Sequence, residues 1–209
     1  MTSQRKQTAV TALLVLALLL ALPQVARADE ADISDPVLSE AQCAIVEDSV
    51  GNVLYEKNAD TQMPMASITK VMTAMVALDS GIDLDTTCQI HATDLGADSQ
   101  TAGFVEGDTP TLRELLRVML IYSANDAAEN IAINVAGSEE AFVELMNEKA
   151  QELGMTNTHF MNPHGLDEDG HYSTVSDLAL MGRVALSEYP FIAGTVHTRS
   201  VTVSVAGTQ

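Results

Sequence analysis

The chain has 209 residues, 46% of them hydrophobic, with 10 basic against 29 acidic side chains and a formal charge of −19. The apolar share is ordinary for a globular chain and too high for disorder. So acidic a surface repels nucleic acid and anionic lipid headgroups, which argues against both as partners.

Arg5 and Lys6 precede an uncharged apolar run from Ala9 to Leu22, and Ala26-Arg27-Ala28 then places small residues where a signal peptidase reads. Residues 1–28 therefore read as a secretory signal peptide cleaved after Ala28, and the chain as exported beyond the cytoplasmic membrane. An uncleaved anchor is the alternative, although the run is short for a membrane span. Removing residues 1–28 leaves 7 basic against 29 acidic residues, a formal charge of −22. The remaining length suits one domain or part of a larger one.

Residues 29–40 are acidic, contain Pro36 and read as a flexible lead-in, so the folded domain is expected over residues 41–209. Cys43–Val46 and Val53–Tyr55 are short β-prone runs around Asp48-Ser49-Val50-Gly51-Asn52. They predict a hairpin with positive φ at Gly51 or Asn52. Cys43 and Cys88 are the only cysteines. In an oxidising compartment a disulfide and two free buried thiols both stay open, and neither cysteine has the neighbours of a nucleophile or metal ligand.

The stretch Met63–Leu78, MPMASITKVMTAMVAL, is apolar or small at nearly every position from Ile68 onward. A helix without a polar face is a buried helix. Pro64 precedes it and Ser67 stands where an N-cap is expected. Lys70 is the only charge. A cation in the first turn opposes the helix dipole, and burial drives an ammonium toward the neutral amine. Both effects make Lys70 a candidate general base, and the i, i+3 spacing puts its amine on the face of the Ser67 hydroxyl. A hydroxyl beside such an amine is an activated nucleophile. The plainer reading is a capping serine followed by a snorkelling surface lysine.

Farther along, Cys88–His91 is a short strand candidate within the loop-rich stretch from Ile82 to Asp108. Thr111-Leu112-Arg113-Glu114 is a capping box opening a helix with Leu115, Leu116, Met119 and Leu120 at helical spacing. Helices are expected over Ala127–Val135, closed by Gly137, and over Glu139–Leu153, stopped by Gly154. A loop from Met155 to Tyr172 leads to a helix over Thr174–Leu186 that Ser173 or Thr174 caps, and Thr198–Val205 alternates as a strand. Between two of these helices lies Tyr122-Ser123-Ala124-Asn125-Asp126. Its hydroxyl and amide side chains could face a cleft, or could simply cap.

Taken together, Ser67-Ile68-Thr69-Lys70 and Ser123-Ala124-Asn125 resemble the Ser-x-x-Lys and Ser-x-Asn motifs of the low-molecular-weight penicillin-binding proteins, the serine D-alanyl-D-alanine carboxypeptidases of peptidase family S11. The segments Val53–Ala59, Asn157–Leu166, His171–Thr174 and Asp177–Ala179 read like that family too, so the resemblance runs from about Ala41 to Leu186. It implies an α/β fold of the β-lactamase and penicillin-binding transpeptidase type, a mixed sheet flanked by helices beside a helical lobe. It also implies an acyl-enzyme on Ser67, with Lys70 as general base, Ser123 as proton relay and Asn125 on the substrate carbonyl. The Ser67 N–H would form half of an oxyanion hole. The implied partners are peptidoglycan stem peptides ending in D-Ala-D-Ala, with β-lactam antibiotics as inhibitors and no metal or other cofactor.

The family's third motif, Lys-Thr-Gly, is absent from these 209 residues, and Lys149 is the only lysine after Ser123. The resemblance places that motif beyond Gln209, together with a β-rich domain and a C-terminal membrane-binding helix. The chain is therefore expected to be C-terminally incomplete, with the substrate-carboxylate contact and second oxyanion donor lacking. Three alternatives stand beside this resemblance. A class A β-lactamase should carry Glu-x-x-Leu-Asn, whereas Glu144–Asn147 is Glu-Leu-Met-Asn. A zinc peptidase would draw on His159, His164, Asp167, Asp169 and His171, whose spacings match no ordered metal motif. An inactive, wall-binding relative is the non-enzymatic reading.

Overall fold

The structure is a computed structural model and describes residues 40–203. The predicted signal peptide over 1–28 and nearly all of the lead-in over 29–40 lie outside the described residues.

Two strands open the fold, β1 (Ala44–Glu47) and β2 (Val53–Lys57), paired antiparallel with an irregularity between Val46 and Glu47. The turn is held by Asp48, whose Oδ1 accepts from the Val50 and Asn52 N–H groups at 3.0 and 2.9 Å. Gly51 takes the positive φ, +90°, that the reversal requires. These two strands make the one sheet among the described residues, so the α/β class holds while the expected mixed sheet is represented here by a two-stranded antiparallel hairpin. Val46, Val53 and Leu54 are exposed on it.

Six α-helices follow: α1 (Thr69–Asp79), α2 (Leu112–Tyr122), α3 (Asn125–Ala136), α4 (Glu139–Leu153), α5 (Val175–Glu188) and α6 (Pro190–Val196). Helix α1 is the hub and packs against every one of the other five. Met72, Ala74, Met75 and Ala77 are fully enclosed, and the two alanines let neighbouring helices approach closely. Leu115, Leu116 and Met119 of α2, Ile131 of α3, and Phe142 and Met146 of α4 complete this core. The α2 capping box forms in full, with Thr111 accepting from the Glu114 N–H and Glu114 from the Thr111 N–H. Helices α3 and α4 close on Gly137 and Gly154, and Thr174 caps α5 through the Asp177 N–H.

Three expectations need correction, and one helix falls outside them. Ser67 is not an N-cap: the chain enters α1 through a 3₁₀ turn, Ala66–Ile68, and no side chain caps either element. Cys88–His91 is not a strand. Two asparagines one turn apart on α3 take the place of a ladder partner. Asn134 exchanges hydrogen bonds with the Gln89 backbone at 2.9 and 2.8 Å, and Asn130 with the His91 backbone at 2.7 and 3.3 Å. Residues 198–203 form no strand, and 204–205 lie outside the described residues. Helix α6 was not anticipated; Pro190 at its first position presets the φ that starts it. Both cysteines are free thiols, with Cys88 buried and Cys43 donating to the Met63 sulfur at 3.4 Å.

Candidate active site

The site begins with the buried lysine. Lys70 is 2% exposed on the first turn of α1, and its Nζ lies 3.1 Å from Ser67 Oγ and 2.5 Å from the His164 carbonyl oxygen. No carboxylate pairs with it among the described residues. Burial without a counter-ion pushes its pKa down to about 8. The amine is therefore partly neutral near physiological pH. A neutral amine at this distance is chemically able to accept a hydroxyl proton across the same contact through which the ammonium donates. Because Ser67 is not capping a helix, its oxygen is free for this contact.

A polar stripe on α1 carries the surrounding loop. Thr69 and Thr73, fully buried and one turn apart, flank Lys70 on the helix. Thr73 Oγ1 donates to the Pro163 carbonyl at 2.6 Å, next to the His164 carbonyl that holds Lys70. Thr69 Oγ1 lies 2.8 Å from both the Ala66 carbonyl oxygen and His171 Nε2. Sequence reasoning, which finds no polar face on α1, misses these threonines. A threonine pair at i, i+4 inside an apolar helix was the available signal, because buried hydroxyls require partners.

The histidines serve the loop. The Leu166 N–H donates to His164 Nδ1 at 3.2 Å, so the neutral ring carries its proton on Nε2, 3.9 Å from Glu139 Oε1. Burial, then the neighbouring Lys70 and His171, pushes His164 down to about 4, and the ring is neutral at physiological pH. Glu139 in turn adds to the burial that drives the Glu129 carboxyl up to about 7. His159 bonds the Gly170 carbonyl at 2.9 Å.

The second motif sits at the α2–α3 turn. Ser123 is half-buried with left-handed backbone (φ +61°) at the end of α2. No hydrogen bond joins it to Ser67 or Lys70 among the described residues. Asn125 opens α3, with its Nδ2 donating to Ser99 Oγ at 2.7 Å and its N–H to the Gln100 carbonyl at 2.8 Å. Asp126 gathers the facing loop. Its carboxylate accepts from Ala102 and Gly103 at 2.9 Å and from Phe104 at 3.2 Å. Thus the 3₁₀ turn leading into α1 presents Ser67, the first turn of α1 presents Lys70, the α2–α3 turn presents Ser123 and Asn125, and α1 packs against both α2 and α3. Lys149 is remote in role, tied on α4 to Asp79 Oδ2 at 2.8 Å. Glu144 is exposed on α4, while Asn147 bonds the Phe160 backbone, so neither forms a β-lactamase-type loop.

The helical arrangement that holds this serine and its buried lysine is the fold of the penicillin-binding proteins and DD-transpeptidases. Penicillin-Binding Protein D2 from Listeria monocytogenes, solved in a cefotaxime-bound form, superposes with a TM-score of 0.73 at 31% identity, covering 84% of this chain and 74% of that one. The chain belongs to peptidase family S11, D-alanyl-D-alanine carboxypeptidase, whose family model matches residues 29–208. It is 44% identical over 156 residues to the D-alanyl-D-alanine carboxypeptidase DacF of Bacillus subtilis, covering 70% of this chain and 39% of the relative. It is 37% identical over 168 residues to a D-alanyl-D-alanine endopeptidase of Pseudomonas aeruginosa, covering 80% and 54%. The chain thus spans about half or less of the length of these two curated relatives. No helix among the described residues is long and apolar enough to cross a membrane.

Proposed function

We propose that the chain supplies the acylation centre of a serine-type D-Ala-D-Ala carboxypeptidase acting on peptidoglycan stem peptides outside the cytoplasmic membrane. The carrying observation is the 3.1 Å contact between Ser67 Oγ and a Lys70 amine that burial has pushed down to about 8. In the reaction, Ser67 Oγ attacks the carbonyl between two D-alanines while Lys70 takes the hydroxyl proton. The tetrahedral oxyanion accepts a hydrogen bond from the Ser67 N–H. Ser123 passes the proton from Lys70 to the departing D-alanine amine, and Asn125 donates to a peptide carbonyl of the stem. Water then attacks the acyl-enzyme and releases the shortened stem. A β-lactam acylates the same oxygen, its ring opening in place of peptide cleavage. Export follows from residues 1–28 read as a cleaved signal peptide, and the names of the similar proteins support the substrate class.

Intact-mass spectrometry of the full-length protein with penicillin tests the reading. A single adduct is expected in the wild type and none in Ser67→Ala. An undiminished adduct in Ser67→Ala would remove Ser67 as the nucleophile.

A further inference from the structure

We propose that His171 is a positioning residue for the peptide unit joining Ala66 to Ser67, acting through the Thr69 hydroxyl so that the Ser67 N–H faces the reacting carbonyl. This role rests on the acyl-enzyme reading above. Each proton in the chain of contacts is assigned by the one before it. The Met161 N–H donates to His171 Nδ1 at 3.0 Å, so the neutral ring holds its own proton on Nε2. That N–H lies 2.8 Å from Thr69 Oγ1 and must donate to it. Thr69, having accepted, directs its one hydroxyl proton to the Ala66 carbonyl oxygen at 2.8 Å.

The Ala66 carbonyl accepts from the Thr69 N–H as well, and the hydroxyl adds a second hold on it. Ala66 has φ +49°, a left-handed conformation that residues with a Cβ avoid. Gly165 lies directly against it, where a methyl group would come 2.1 Å from the same oxygen. In a trans peptide the C=O and N–H point in opposite directions. Fixing the Ala66 oxygen against Thr69 and Gly165 therefore turns the Ser67 N–H away from them. That N–H meets no acceptor among the described residues. A residue 102 positions downstream of Thr69 thereby sets the direction of the oxyanion donor.

His171 is suited to the task because it cannot easily move or charge. It is 4% exposed, with the Phe160 ring edge-on at 5.9 Å. Burial lowers its pKa, His159 lowers it further, and Glu168 and Asp167 oppose, with burial the largest influence. Protonation would place an N–H at Nδ1 against the Met161 N–H and disrupt the relay.

The test uses the full-length protein, the single variants His171→Phe, His171→Gln and Thr69→Val, and the double variant Thr69→Val/His171→Phe. It measures the limiting rate of acylation by penicillin, the affinity of the preceding encounter, and thermal stability. His171→Phe is expected to slow acylation at least about tenfold with encounter affinity within about twofold, as for loss of an aligned oxyanion donor. His171→Gln, whose amide N–H reaches the imidazole Nε2 position, should recover most of the rate. On a Thr69→Val background His171→Phe should cost nothing more. Should His171→Phe fail to fold, Thr69→Val alone must show the slowed acylation. Unchanged acylation in both His171→Phe and Thr69→Val would overturn the proposal, as would a glutamine variant no faster than the phenylalanine one. A long-range ¹H–¹⁵N spectrum of the wild-type ring needs no turnover: a proton on Nε2 is expected, and one on Nδ1 overturns the relay. A wild-type protein that forms no adduct removes the acyl-enzyme reading and this role with it, whereas normal labelling in every variant removes this role alone.

Discussion

Replacing Lys70 by methionine should stabilise the fold at neutral pH. A lysine ordinarily loses its proton near 10.5, and burial brings Lys70 to about 8. A base whose folded-state pKa is depressed is penalised in its charged form. At about 1.36 kcal/mol per pKa unit, holding that ammonium inside the fold costs about 3 kcal/mol below pH 8. Between pH 8 and 10.5 the unfolded chain binds a proton that the folded chain does not, so wild-type stability climbs with pH until the penalty is gone. Methionine retains most of the apolar stem but leaves the His164 carbonyl without its donor, a loss of about 1 kcal/mol. The net expectation is a gain of about 2 kcal/mol at pH 7 that reverses to a loss of about 1 kcal/mol above pH 10.5. Cys88 acts in the opposite sense: burial raises its thiol to about 11, so stability falls as pH rises from 9 toward 11. That contribution is common to both chains and cancels in their difference. The assay is urea unfolding followed by circular dichroism at pH 7, 8.5 and 10 for both proteins. Parallel pH profiles, or a methionine variant less stable at pH 7, would refute a buried, uncompensated ammonium at this position.

Lys70→Arg keeps the charge, but a guanidinium stays protonated and cannot accept the serine proton. Penicillin acylation should fall by about 10²-fold or more while the melting temperature changes little, and a near-normal labelling rate would take Lys70 out of the mechanism. Gly165→Ala sets a methyl 2.1 Å from the Ala66 carbonyl at a φ of +88°. It should cost about 2 kcal/mol or more, read as a lowered thermal midpoint, and should slow acylation as well. Asp126→Ala leaves the Ala102, Gly103 and Phe104 N–H groups without their acceptor. Amide exchange across residues 102–104 should accelerate, and stability should drop by about 2 kcal/mol; unchanged protection would show that the loop is held by other contacts.

The amino-acid sequence by itself determined the local elements and half of the chemistry. Hydrophobic spacing, the Thr111–Glu114 box and the stop glycines Gly137 and Gly154 located α2, α3 and α4, because capping and chain reversal depend on residues within a turn of one another. The run around Lys70 pointed to a buried amine beside Ser67 for the same reason, since residues three apart in a helical turn share a face. Only the tertiary structure decided what completes the site. The His164 carbonyl on Lys70 and His171 on Thr69 join positions 94 and 102 residues apart, and no local periodicity encodes such pairs. The segment Cys88–His91 carries a strand's composition, yet Gln89 and His91 pair with the side chains of Asn134 and Asn130, because backbone groups pair with any well-placed amide once packing brings it within reach. Ser67 reads as a helix cap in sequence and is freed from capping only because Ala66 turns left-handed beneath Gly165 and Thr69. That conformation is unfavourable locally and is held by contacts from distant parts of the chain.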